Sequence, residues 1–297
     1  MEGIPDPYSV QYPWILALVD EQGQSIELIE NFDCIGGAMW AQQSYRKSPL
    51  VTGVHTIGTQ SRFHLRQGSV DLALAGSRFP AGISLVRVED GEVAVRYIGM
   101  GGGGVGASAC RAYAGGVLRC ESDPSGGGKV AGSTIWLPRM QRVLIGVDDT
   151  DTPEEGATWT LAHNIAKTVQ DDQSRYLSHT IVQLFPVPFR TKNCVSTVCE
   201  FATRDPEALA TRFRTLLERH TLSDETGMAV FRGFDPTPLL PYARRVKRGQ
   251  IDVGELARIH DERLTCVLNG RGIIGAVAAL PLFCRFDEAL ELCDGTH

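Results

Sequence analysis

The sequence predicts an α/β (α+β) protein of two domains. Three observations carry that expectation. The chain of 297 residues is long enough for two domains of ordinary size. Its first part is glycine-rich with short strand-like runs, whereas its second part alternates strand-like and helix-like segments. Between them lies an apolar run, Val143 to Val147, which ends in Asp148, Asp149 and Asp151. The expected domains are 1–141, an α+β domain with glycine-rich loops, and 142–297, a nucleotide-binding domain. Hydrophobic residues make up 43% and charged residues 22%, enough apolar content to bury a core in each.

In the first part, Trp14 to Val19, Gly82 to Val88 and Val93 to Ile98 read as strands from their Val, Ile and Leu content. Glu89-Asp90-Gly91-Glu92 between the last two reads as a hairpin turn, because Asp-Gly supplies the positive φ angles that tight hairpins need. Glycine-rich breaks follow at Gly99–Gly106 and Ser125–Gly128, and Pro138-Arg139 marks the expected junction.

In the second part a strand at 142–147 leads to a helix near 157–170, where Leu161, Ile165 and Val169 recur at four-residue intervals. A strand near 179–185 precedes a loop with Pro186 and Pro188, and Val195 to Phe201 is a further strand. Pro206 to His220 is a helix with Pro206 in the first turn and Leu209, Phe213, Leu216 and Leu217 on one face. Met228 to Phe231 reads as a strand and Val253 to His260 as helical. Arg271 to Leu280 is apolar and reads as helix or strand.

The totals exclude several classes. A net charge of −6 argues against a protein that coats nucleic acid. No apolar run reaches the roughly 18–20 residues of a membrane span, and Met1 to Asp6 lack the pattern of a secretory signal. The expectation is a cytoplasmic protein with no membrane partner. None of the eight cysteines forms a Cys-x-x-Cys pair, which leaves a zinc or iron–sulfur site unsupported.

The acids at the end of the apolar run carry the chemistry. Carboxylates crowded at the end of a buried strand repel one another, and the usual neutraliser is a hard divalent cation such as Mg²⁺, which commonly holds substrate phosphates as well. Gly156 and the helix start at Ala157 to Thr160 follow, and free N–H groups there attract phosphate oxygens. The alternative is a solvated, Asp-rich cap before a helix. No Gly-Lys-Ser/Thr follows, so this is not a Walker A loop. In Phe185 to Cys194, Arg190 and Lys192 flank a threonine in a loop and suit phosphate oxygens, Arg as a fork and Lys as a point charge; a solvated charged loop is the alternative. In Asn269 to Leu280, glycines beside Arg271 permit close backbone approach to a ligand or to a neighbouring element.

These three segments, in this order, resemble the kinase-like catalytic region of archaeal agmatidine synthetase, the enzyme that modifies an isoleucine tRNA. The matches are Gly146 to Asp151, Pro186 to Cys194 and Arg271 to Ala279, within residues 142–285. Arg190 and Lys192 are swapped in type relative to that family, and Asn193-Cys194 stands where it has Gly-Asn. The chain ends at His297 without the cysteine pairs of that family's zinc ribbon, so tRNA is not expected as a partner. Gly156-Ala157-Thr158-Trp159-Thr160 after the acids is more similar to the methanogenesis marker protein 11 family.

The resemblance implies ATP and Mg²⁺ as cofactors. Asp148, Asp149 and Asp151 are the implied metal ligands. Asp148, Asp149, Thr158, Thr160 and Lys192 are the implied catalytic set, with either threonine matching a phosphorylated threonine of the synthetase family. Gly146, Asp151, Gly156, Arg190, Asn193, Arg271 and Gly272 are the implied nucleotide contacts. The function so implied is phosphoryl or adenylyl transfer associated with methanogenesis, with a nucleotide and an unknown phosphate acceptor as partners. Alternatives are a non-enzymatic assembly or maturation factor for methyl-coenzyme M reductase, with a protein partner in methanogenesis, and an RNA-modifying enzyme.

Other features have two readings each. Gly101, Gly103 and Gly106 satisfy G-x-G-x-x-G, but the following helix could span only 107–114, too short for a dinucleotide fold. His55 and His64 are a ligand pair or ordinary surface residues, and Cys34 is a reactive thiol in a turn or a structural one. Arg244-Arg245-Val246-Lys247-Arg248 is a surface for RNA or an acidic partner, or a solvated run.

Overall fold

A computed structural model describes residues 7–10, 12–124 and 128–292. Met1 to Asp6, Ser125 to Gly127 and Cys293, on which parts of the sequence reading fall, lie outside the described residues. The fold is mixed α/β of the α+β kind, and the chain divides into two compact units, Met1–Met140 and Gln141–His297.

The first unit is built on antiparallel strands. β1 (Trp14–Val19) pairs with β2 (Ser25–Asn31), and β4 (Gln60–Arg66) lies between β2 and β3 (Val51–Ile57). α1 (Ile35–Tyr45) buries Ala38, Ala41 and Tyr45. The two-residue β5 (Gly68–Ser69) pairs with β6 (Ala81–Glu89), which forms a hairpin with β7 (Glu92–Met100). The hairpin turn is as predicted: Glu89 pairs with Glu92, and Asp90 (φ 47°) and Gly91 (φ 79°) occupy the left-handed positions of a type I′ turn.

The glycine run is a packed element. It forms the four-residue α2 (Gly102–Val105) and a π-type turn, Gly106–Cys110. A Cβ on Gly99 would stand 2.4 Å from the Gly103 carbonyl oxygen, so glycine is what lets α2 lie against β7. No long helix follows, and the dinucleotide-fingerprint reading is set aside. β8 (Arg119–Ser122) pairs with β9 (Val130–Asp148). Pro138-Arg139 lies just before the division between the units, and β9 runs on through it. Pro138 lies inside β9 opposite Glu92, and the Arg139 N–H bonds to the Gly91 carbonyl, so the proline sits where the β7 pairing ends and costs no ladder bond.

Arg111 organises the interior of this unit. It is 1% exposed and forks onto the fully buried Glu30, Nε to Oε1 at 2.7 Å and Nη2 to Oε2 at 2.9 Å. The Tyr97 hydroxyl donates to the same carboxylate, and Arg111 Nη1 donates to the Tyr45 hydroxyl and the Gly106 carbonyl. The guanidinium also lies over the rings of Tyr12, Phe32, Tyr45 and Tyr97.

The second unit is an antiparallel sheet with helices on both faces. The strand order is β10 (Ser174–Gln183), β11 (Val195–Thr203), the last part of β9, β12 (Gly227–Arg232) and β13 (Leu264–Asn269). Along β9 the side chains alternate. Val143, Ile145 and Val147 pack in a core with α3 (Thr158–Thr168) and α4 (Pro206–His220). Leu144 packs in the opposite core with α5 (Leu240–Arg248) and α6 (Ile273–Ala279). Burial on both faces explains the unbroken apolar run. The predicted 206–220 helix is α4, with Asp205 capping its first turn by accepting from Ala208 N.

The segment at 253–260 is a 3₁₀ turn (Val253–Arg258), and a short α7 (Phe286–Leu290) follows α6. The basic cluster lies on α5, where Arg244 pairs with Glu288, Arg245 with Glu255, and Lys247 Nζ donates to the Gln183 and Ala289 carbonyls. His55 and His64 sit on neighbouring strands β3 and β4 opposite Arg62 and Gly53, as ordinary strand residues. No described helix is long and apolar enough to cross a membrane.

Removing Arg111 leaves Glu30 buried without its cation. Arg111→Met is expected to cost about 3–5 kcal/mol at neutral pH in denaturant unfolding. The cost shrinks at acid pH, where protonation removes the uncompensated charge. A neutral-pH cost below about 1 kcal/mol would refute the assignment.

Candidate functional site

The end of β9 is shaped by α6. A Cβ on Gly146 would lie 2.0 Å from the Ala276 carbonyl oxygen, and one on Gly227 would lie 2.0 Å from Ile273 N. Helix and sheet therefore touch backbone to backbone. A Cβ on Gly272 would meet the Asp148 carbonyl oxygen at 2.7 Å, and one on Gly275 would meet Asp148 Oδ2 at 1.8 Å. Gly146 and Gly272 thus act through packing: they bring the start of α6 onto the acidic strand end.

Asp148 and Asp149 lie side by side there. Asp149 has φ 53°, a left-handed conformation uncommon outside glycine, and its N–H donates to Asp148 Oδ1 at 2.9 Å. Burial raises the pKa of Asp148 well above the usual carboxylate range, with the Asp149 charge adding to it. Burial also raises Asp149, against the lowering effect of Arg271 and with Asp151 and Glu225 adding to the rise.

Asp151 faces a different set of partners. It accepts from the Thr191 hydroxyl at 3.2 Å and lies 3.7 Å from Lys192 Nζ, which also donates to the Gly156 carbonyl at 3.0 Å. These contacts tie the acidic loop to the 186–194 loop. Among the described residues no three His, Cys, Asp or Glu side chains come together in a metal-holding group, the three expected aspartates included. Asp148 and Asp149 are a donor set of hard oxygens that fits Mg²⁺, which takes one or two carboxylates and completes its shell with water and phosphate.

Two hollows meet at this pair, with volumes of about 570 and 830 Å³, open solvent at their mouths included. Asp148, Asp149, Asn193 and Val195 line both. The larger is polar and is lined also by Asp151, Gly156, Thr158, Trp159, Thr191 and Lys192. The smaller is lined by the apolar side chains of Leu184, Phe185, Val187, Val246, Ile251 and Ile274 and by the cations of Arg190 and Arg271.

The structure separates the two candidate threonines. Thr158 opens α3, is buried, and its Oγ1 accepts from both the N–H and the hydroxyl of Thr150, at 3.2 and 3.1 Å. Thr160 is exposed and lines neither hollow, because two residues along a helix turn a side chain to the opposite face. Arg190 donates to the Val187 carbonyl at 3.1 Å. Asn193 exchanges amide contacts with Gln183, Gln183 Nε2 donating at 3.2 Å. Arg271 pairs with Glu225 at 3.3 Å and lies 4.4 Å over the Phe189 ring, with its Nε buried and lacking an acceptor.

Sequence reasoning missed Thr150, Thr191, Gln183 and Glu225. Thr191 and Glu225 act through partners 40 and 46 residues away, Thr150 and Gln183 through partners 8 and 10 residues away, and only their polar character hinted at them.

Three comparisons bear on the site. Residues 144–206 match a family model described as the TiaS TCKD domain. Uncharacterized protein MJ0921 of Methanocaldococcus jannaschii is 39% identical, across 96% of this chain and 98% of that protein. Among solved structures, a complex of TiaS with its isoleucine tRNA and ATP is 23% identical with a TM-score of 0.43, covering 48% of this chain and 36% of that one. Apo TiaS, an agmatidine synthetase acting on that tRNA, is 21% identical with a TM-score of 0.41, covering 47% and 35%. The chain thus spans about a third of the length of these solved chains. The expectation that tRNA is not a partner is corrected: residues 144–206 match a domain of TiaS, and the exclusion of tRNA no longer stands.

The raised pKa values have a sign. A carboxyl whose folded pKa lies above its unfolded value binds more protons when folded, so it reduces stability as pH rises above about 4. Asp148→Asn removes that charge and keeps the acceptor for Asp149 N–H. The variant is expected to melt about 2–4 °C above the unaltered protein at pH 7 without divalent cation, the shift that about 1 kcal/mol gives in a protein of this size. The difference should vanish near pH 4, and a lower melting point at pH 7 would contradict it. Gly146→Ala, which drives a methyl into the Ala276 carbonyl, is expected to cost at least 1–3 kcal/mol, as overpacking does; denaturant unfolding measures it.

Proposed function

The chain belongs to the family of Uncharacterized protein MJ0921 of Methanocaldococcus jannaschii, and for this chain we propose an ATP- and Mg²⁺-dependent enzyme of phosphoryl or adenylyl transfer. The observation that carries the reading is the Asp148–Asp149 pair, left without a cation of its own, where a polar and an apolar hollow meet. The match of residues 144–206 to the TiaS TCKD domain supports it, and TiaS has been crystallised with ATP.

Mg²⁺ bound by Asp148 and Asp149 would neutralise the phosphates when present. Lys192 and the first-turn N–H groups of α3 face the phosphate chain from the polar side. Arg271, with a spare Nε–H, and Arg190 face it from the apolar side. In phosphoryl transfer the acceptor's lone pair forms a bond to the terminal phosphorus, the bond to the bridging oxygen breaks, and ADP leaves with that electron pair. Positioning and charge neutralisation are the main demands of that step, and these residues supply them. Thr158 supports the acidic loop through Thr150.

A second reading makes the acceptor an RNA, and the TiaS domain match is what favours it. The finer placement, in the methanogenesis marker protein 11 family, rests on Gly156 to Thr160 and ties the acceptor to methanogenesis. RNA as acceptor is expected to bind with strong salt dependence; a small-molecule acceptor is not.

Isothermal titration with ATP, with and without Mg²⁺, tests the reading. Metal-dependent binding is expected, and it should weaken at least about 100-fold, roughly 2.7 kcal/mol, in the Asp148→Asn/Asp149→Asn variant with its circular dichroism unchanged. Equal binding by the variant and the unaltered protein sinks the assignment.

A further inference from the structure

Trp159 stands one residue inside α3 and lines the polar hollow beside Thr158, Ile181 and Lys192. Large aromatic side chains are normally well covered, yet Trp159 is 45% exposed. Its indole is backed by His179 of β10, with ring centroids 6.4 Å apart and planes 27° from parallel.

His179 is itself held in place. The Thr197 hydroxyl donates to the Thr180 carbonyl at 3.1 Å, so its oxygen accepts from His179 Nε2–H. His163 lies 5.6 Å from His179, and its Nδ1 bonds to the Tyr176 hydroxyl at 2.9 Å. Burial, and then His163, push the His179 pKa down to about 4, so the ring behind Trp159 is neutral at pH 7. The result is a rigid, uncharged aromatic step at the wall of a hollow whose remaining lining suits phosphates.

We infer that Trp159, supported from behind by His179, is the platform on which the nucleotide's base stacks. The inference rests on the nucleotide reading of the site and adds the orientation of the ligand. A nucleotide pairs a planar π-face with a polyphosphate, and the polar hollow offers an aromatic face and the Lys192, Asp148 and Asp149 end in one lining. The base then sits at Trp159, and the phosphates run past Thr158 towards the aspartates. The apolar hollow on the far side of Asp148 and Asp149 is left for the acceptor, whose body is accordingly apolar where it meets Leu184, Val246 and Ile274.

The test compares Mg²⁺–ATP with inorganic triphosphate, which carries the phosphates and lacks the base. Each is titrated calorimetrically into the unaltered protein, Trp159→Ala and Trp159→Phe. Base stacking on an aromatic side chain is worth about 1–3 kcal/mol, so Trp159→Ala is expected to weaken ATP about 5- to 150-fold. Triphosphate affinity should stay within about twofold, and Trp159→Phe should restore most of the ATP affinity. ATP should also quench tryptophan fluorescence in the unaltered protein and not in Trp159→Phe, where Trp14, Trp40 and Trp136 remain. Equal weakening of both ligands, or no weakening of ATP, overturns the platform and leaves the nucleotide site standing. Absence of binding by either ligand to the unaltered protein overturns the nucleotide reading and the platform with it.

Discussion

The second unit depends on one steric constraint: α6 must touch the sheet backbone to backbone. Gly146 and Gly227 on the strands, and Gly270, Gly272 and Gly275 around the start of the helix, each occupy a point where a Cβ would fall within 3 Å of another atom. Ordinary helix-on-sheet packing, with side chains between, sets the layers about 10 Å apart. Here the spacer is deleted. The contact fixes where Arg271 emerges, lets the start of the helix approach the Asp148 carboxylate, and sets Ile274 facing the apolar hollow. A side chain at any of these positions would move the helix, and the walls of both hollows share residues with that contact.

That constraint also decides what the sequence could reveal. The run from Val143 to Val147 was legible because burial on both faces needs an apolar residue at every position. The Asp-Gly hairpin and the capped α4 were legible because turn and cap chemistry is local. The acids were legible as a cluster; that Asp151 is held by Thr191 and Lys192, some forty residues away, was not. In the first unit β2 did not read as a strand, since Ser25-Ile26-Glu27-Leu28-Ile29-Glu30-Asn31 carries two glutamates that the fold buries. Glu30 is tolerable only because Arg111 reaches it from 81 residues away. The glycine run was undecided on paper: glycines that serve close packing and glycines that serve phosphate binding look the same until their neighbours are known.

Trp159 and His179 show a similar limit. They lie twenty residues apart and meet only because α3 packs across β10, a relation with no sequence periodicity. By contrast, Thr158 and Thr160 were equivalent on paper, and helical geometry alone separates them.

The treatment of buried acids elsewhere in the chain gives the acidic pair its meaning. Glu27 is paired with Arg62, Glu30 with Arg111 and Glu200 with Arg142, so the three glutamates at 2% exposure or less each have a guanidinium, whereas Asp20, at 9%, accepts from the Gln24 N–H. Such pairing is what a carboxylate needs when its role is to hold a fold, because desolvation is otherwise uncompensated. Asp148 departs from that rule. Its carboxylate accepts from the Asp149 N–H and faces a second carboxylate, while Arg271, which lowers the pKa of Asp149, is paired with Glu225. A sequence selected for stability alone would place Asn at 148, which keeps the hydrogen bond and drops the repulsion. Retaining the charge at a cost to the unliganded fold is expected where a bound cation repays it. The departure from the chain's own pattern of paired acids is therefore the strongest physical argument that this strand end binds something positive, and that the phosphates it attracts come with it.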